Sequence, residues 1–194
     1  TIPSQAGLRS GKAPTGSTGT GWVHITAYPG PINGNAIEDV HYTTPAGKKG
    51  GIHGPNSSYR GVTGDYISIS NLRMDVSASA TSDAAPINLQ YAGAQWRVVN
   101  TELGPWPSTI VAKAGGISGD GINDYAFYGN YIHNIESNTS EGLMNHGIYI
   151  SNGANGNIAY NHIAHIPGGN GFQAADTTNG FPTDNTKIHH NVIY

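Results

Sequence analysis

The chain has 194 residues, of which 28 are Gly and none is Cys; charged residues make up 11% and the formal charge is −3 at pH 7. That length suits one domain, the charge leaves no basic footprint for nucleic acid, and the missing thiols exclude disulfides and thiolate metal sites. No apolar run reaches the length of a membrane span, and low charge with abundant Gly suits a tightly coiled extracellular β protein.

Residues 1–21 hold five Gly and two Pro without periodicity and read as an extended leader or irregular N-terminal cap. From Trp22 the chain alternates and reaches a Pro-Gly turn at Pro29 and Gly30. Residues 38–64 form the longest irregular stretch, with only Gly51, Ile52 and His53 strand-like; Lys48 and Lys49 read as a solvated tip. Asn56 and Asn138 stand in glycosylation-type Asn-x-Ser/Thr triplets.

From Asp65 a repeat sets in. One apolar column is Ile69, Val98, Phe127, Ile158 and Ile188; a second is Met74, Leu103, Ile132, Ile163 and Ile193. Successive members of both columns are 29, 29, 31 and 30 residues apart, a period that marks a solenoid, propeller or array. Three residues past each first-column member lies a turn position occupied by Leu72, Thr101, Asn130, Asn161 and Asn191. Asn tolerates left-handed backbone and its amide can bond a neighbour. The three Asn therefore read as a ladder, one rung per coil. The first two coils carry Asn71 and Asn100 one place earlier, so the ladder is partial.

Variable loops follow at 76–85, 104–115, 136–145 and 167–170. After each comes another apolar segment, beginning at Pro86, Gly116, Gly147 and Gly171. Three short strands per period, an Asn turn and the run from His146 to Ser151 resemble the right-handed parallel β-helix of the pectate-lyase-like superfamily of secreted polysaccharide-active proteins. The resemblance spans residues 22–194 and implies an all-β, single-stranded right-handed parallel β-helix, a solenoid of about six coils.

Members of that family hold polysaccharide along the outer face of the strand following each loop. Carried over, the outward column is His53, Asn88, Ser118, Tyr149 and Gln173, with Gln90, Asp120 and Ser151 beside it. Trp106 offers either a sugar-stacking face on a loop beside that groove or a hydrophobic plug.

A uronate lyase needs a base for the proton beside the carboxylate and a cation to offset charge. Tyr149 or His146 can exchange the proton and Lys113 can supply the cation. A hydrolase needs two carboxylates across the bond, for which Asp120 and Glu141 are the candidates. Nine His raise the question of a metal, with His133, His162, His165, His189 and His190 near the turn. Adjacent His189 and His190 point to opposite faces of a strand, however, and no zinc site is expected. No Asp-x-Asp pair occurs, so no calcium cage is expected either.

Two functional classes fit these residues. One is a secreted lyase cleaving a uronate-containing glycan by β-elimination; the other is a non-catalytic glycan-binding or structural β-helix, such as an adhesin, tailspike-like or filament subunit. Either belongs outside the cell or on its surface. The final residues Val192, Ile193 and Tyr194 are strand formers in mid-coil, which predicts further coils or another chain covering that end.

Overall fold

The computed structural model describes residues 21–26, 41–43, 52–53, 65–75, 77, 86–90, 93–106, 115–136, 145–175 and 184–194. Residues 1–20 of the leader expected at 1–21, the two Asn-x-Ser/Thr triplets, Lys113 and Glu141 lie outside them, as does most of the loops at 76–85, 104–115 and 136–145.

The described residues are all strand and turn. In chain order the strands are β1 (Val23–Thr26), β2 (His41–Thr43), β3 (Ile52–His53), β4 (Ile67–Ser70), β5 (Arg73–Asp75), β6 (Ile87–Gln90), β7 (Trp96–Val99), β8 (Glu102–Leu103) and β9 (Gly115–Asp120). There follow β10 (Ala126–Tyr128), β11 (Tyr131–His133), β12 (His146–Ser151), β13 (Asn157–Ala159), β14 (His162–Ala164), β15 (Phe172–Ala175), β16 (Lys187–His189) and β17 (Val192–Ile193).

Every third strand pairs, giving three sheets: β1-β4-β7-β10-β13-β16, β2-β5-β8-β11-β14-β17 and β3-β6-β9-β12-β15. All strand pairings are parallel. The protein is a parallel β-solenoid. The strict stack with Asn at every turn is about three turns long, β9–β17, so the uniform six-coil helix expected from the period is too regular a description. Upstream the strands pair in the same order, but the turn carries Leu72 and Thr101.

The apolar columns are strand registers. Ile25, Ile69, Val98, Phe127, Ile158 and Ile188 pair in succession through the first sheet. Met74, Leu103, Ile132, Ile163 and Ile193 do so through the second. Ile52, Ile87, Ile117, Ile148 and Phe172 line the third. Inward residues recur every coil, about 4.8 Å apart, and most are fully buried. Each large aliphatic so buried contributes roughly 1.5–3 kcal/mol before entropy. One coil cannot hide its own faces, so stability resides in the stack.

At the turn between the first two sheets, the left-handed residue is the one before the ladder position. Asn71, Asn100, Gly129, Tyr160 and His190 have φ of 54°, 51°, 63°, 59° and 54°. The ladder Asn itself turns inward, which corrects the expectation that it would occupy the left-handed region. Asn161 Oδ1 accepts from Asn130 N (3.0 Å) and Nδ2 (2.8 Å), and Asn191 Oδ1 accepts from Asn161 in the same way at 2.9 Å each. Each ladder Nδ2 also reaches a carbonyl of the preceding coil, Val98, Phe127 or Ile158. Thr101 joins the ladder through N and Oγ1, both donating to Asn130 Oδ1.

Two further expectations are corrected. His41–Thr43, inside the stretch read as irregular, forms β2 and pairs with β5. Trp106, placed on a loop from the sequence, bridges to Ile135 in parallel.

Candidate functional site

The third sheet places the expected glycan-facing column in register: His53 pairs with Asn88, Asn88 with Ser118, Ser118 with Tyr149, and Tyr149 with Gln173. Gln90, Asp120, Ser151 and Ala175 align beside it. Register does not amount to access. Asn88 is 7% exposed and Ser118 only 1%, so neither offers its polar group to a ligand in this state. Tyr149, Gln173 and Asp120 are half-buried, while the side chains of His53 and Gln90 lie outside the described residues.

Tyr149 stacks on His146, ring centroids 5.5 Å apart at 16°. His146 is 4% exposed and its Nδ1 accepts the backbone N–H of Asn170 at 3.0 Å. An imidazole nitrogen that accepts carries no proton, so the ring is neutral with its hydrogen on Nε2. Burial lowers the His146 pKa below the usual imidazole value, because desolvation penalises the cation. The lone pair expected to exchange a proton is therefore already engaged. Asp120 Oδ1 accepts from Ser151 Oγ (2.9 Å) and Asn152 Nδ2 (2.7 Å), so this carboxylate ties two coils together.

Trp106 is not a platform. Its side chain is 0% exposed and belongs to the core cluster, so the plug reading holds. The first turn of the loop packs inward because Trp106 continues the coil alongside Ile135.

A richer arrangement stands on the second sheet, where sequence reasoning placed none. Outward residues flank the inward column: Arg73, Glu102, Tyr131, His162 and Val192 on one side, with His133 in register with Ala164 on the other. Tyr131, 39% exposed, stacks on His133 at 4.4 Å and 18°, and lies 5.2 Å from His162 at 37°. His162 in turn lies 5.1 Å from Tyr194. Four rings thus step across successive coils as one ledge. Its acidic edge is Glu102, whose Oε1 meets His133 Nε2 at 3.2 Å and Arg73 Nε at 3.0 Å. Glu136 approaches His165 at 3.7 Å. Gly104 borders the ledge at φ 130°, where a Cβ would collide with the His133 carbonyl oxygen. The signal was present in the sequence: the residues flanking Ile132 and Ile163 are Tyr131, His133 and His162, outward by parity.

Among the described residues no three His, Asp or Glu side chains converge as a bound metal ion would require, and no helix is long and apolar enough to cross a membrane. Arg97 serves the coil, donating to the carbonyls of Trp96 and Asp124 and packing over Trp22 at 4.9 Å. The chain matches no family model, no curated protein and no solved structure.

Proposed function

We propose that this chain is an extracellular or cell-surface β-solenoid that binds polysaccharide without cleaving it, through the ledge on its second sheet. The observation that carries this reading is the run of rings Tyr131, His133, His162 and Tyr194 beside Glu102. Ring faces pack against the apolar faces of sugars, and a carboxylate edge accepts their hydroxyls. Coils repeat about every 4.8 Å, so successive rings suit successive sugars of an extended chain.

Binding to a panel of neutral and acidic polysaccharides tests it. Tyr131→Ala should weaken binding about tenfold, the worth of one well-stacked ring, with the fold intact by circular dichroism. Unchanged affinity in that variant would remove the ledge from consideration.

A second reading, a uronate lyase, is favoured by one observation: Tyr149 is half-open on β12, stacked on His146 and in register with Gln173. In that case the same panel would release unsaturated-uronate absorbance, and Tyr149→Phe would abolish it. That substitution should leave stability within roughly 0.5 kcal/mol.

A further inference from the structure

The corner between the first and second sheets carries one left-handed residue per coil: Asn71, Asn100, Gly129, Tyr160 and His190. Asn, Tyr and His all serve at this position, so the backbone does not demand glycine there. A Cβ built on Gly129 would meet nothing within 4 Å, so packing does not demand it either. The missing side chain leaves a gap on an exposed corner, between Asn100 of one neighbouring coil and Tyr160 of the other. The backbones of those two residues stand two coil spacings apart, about 10 Å.

Three groups turn toward that gap. Tyr131 and His133 sit two residues apart on β11 and stack at 4.4 Å and 18°. Their common axis follows the strand, so the second face of Tyr131 looks back to the corner at Gly129. Tyr160 stacks on His190 of the following coil at 5.1 Å and 20°. That axis follows the stack, so the second face of Tyr160 looks toward the coil of Gly129. Both rings are open to solvent, Tyr131 by 39% and Tyr160 by 62%. Asn100 closes the gap from the other side. Its Nδ2 donates to Asn71 Oδ1 at 2.8 Å, which leaves its own Oδ1 turned to the place where the next rung would stand. With glycine there, no side chain of residue 129 can donate to that oxygen.

These groups select a ligand by their chemistry. Ring faces take the apolar C–H faces of a sugar, and an amide oxygen accepts a hydroxyl proton. An anion gains nothing from either, since the ring face and the amide oxygen both carry negative partial charge. Glu102 stands in register with Tyr131 on the preceding coil, and its carboxylate already holds the Arg73 guanidinium at 3.0 Å. A uronate or sulfate entering the gap would meet like charge from Glu102.

We propose that the gap at Gly129 is a subsite for one uncharged sugar unit of a polysaccharide, set between the faces of Tyr131 and Tyr160 and hydrogen-bonded to Asn100 Oδ1. The proposal rests on the glycan-binding reading above and deepens it, giving the ledge a specificity-determining position and an uncharged substrate class. Gly129 acts by leaving room, so filling it should block the ligand and spare the coil.

The test fills the gap. Asn suits the left-handed backbone, and at this position its amide can reach Asn100 as Asn100 reaches Asn71. Gly129→Asn should therefore melt no lower than the parent. Calorimetric titration of the full chain then uses a neutral glucan, a neutral mannan, polygalacturonate, a sulfated polysaccharide and an aminated one. At least one neutral polymer should bind, with an affinity that added salt does not change, and Gly129→Asn should weaken it about tenfold. Asn100→Gly should weaken the same polymer, and decides alone if the first variant does not fold. Asn155→Gly removes an equally exposed ladder Asn from the corner between the third and first sheets, and should leave affinity unchanged. Parental affinity in Gly129→Asn or Asn100→Gly, or a charged polymer bound more tightly than either neutral one, would overturn the subsite. Lost binding in Tyr131→Ala with full affinity in Gly129→Asn would keep the ledge and remove the subsite. Binding of no polymer would overturn the glycan reading beneath it.

Discussion

Two Asn ladders run up the same turn, one place apart, and they do different work. In the C-terminal coils Asn130, Asn161 and Asn191 point inward, and the buried members bond coil to coil through both amide atoms and the backbone N–H. In the N-terminal coils Asn71 and Asn100 occupy the left-handed position and point outward. Asn100 Nδ2 donates to Asn71 Oδ1 at 2.8 Å, in solvent. Water can replace the outer bond; nothing can replace the inner ones. A residue type repeated at the coil period is therefore not yet an energetic statement: the side of the turn decides, because orphaned buried polar groups cost about 1–3 kcal/mol each.

Breaking the inner ladder should have the largest effect. Asn161→Leu leaves the buried Asn130 N–H without its acceptor and removes one donor from the Phe127 carbonyl, a loss of about 3 kcal/mol readable in urea denaturation. A midpoint equal to the parent's would dismiss the inner ladder as a stabilising device. Thr101, where the two halves meet, sharpens the comparison. Thr101→Val keeps the shape and the N–H bond but deletes Oγ1–Asn130 Oδ1, and should cost about 1 kcal/mol. The outer ladder should yield least. Asn100→Gly loses an exposed bond but relaxes a φ of 51°, so the net change should stay within about 0.5 kcal/mol. A loss matching that of Thr101→Val would erase the distinction between the two ladders.

Much of this was legible because one period governs the chain. The column from Ile69 to Ile188 could be read off, since stacking demands the same residue class at the same place in every coil. Parity placed Tyr149 beside Ser118 and Gln173 for the same reason. Local signals failed where they contradicted the coil. Trp106 was placed in a variable loop, yet its indole packs into the core next to Ile135. The Gly- and Pro-rich stretch around His41 hid β2, whose three residues owe their strand state to pairing with β5. The left-handed position was misplaced by one residue because Asn suits both that backbone and a buried amide ladder.

The sequence by itself determined the repeat, the inward columns, the pairing partners and the existence of an amide ladder, because each depends only on period and alternation. Tertiary structure alone decided access and contact. Asn88 and Ser118 stand in the outward column but are closed to solvent. His146 has its lone pair on the Asn170 N–H, 24 residues along the chain. Tyr131, His162 and Tyr194 become one ledge only when three coils are stacked. Period tells which residues share a column; burial and hydrogen bonding depend on what the neighbouring coils and turns bring against it.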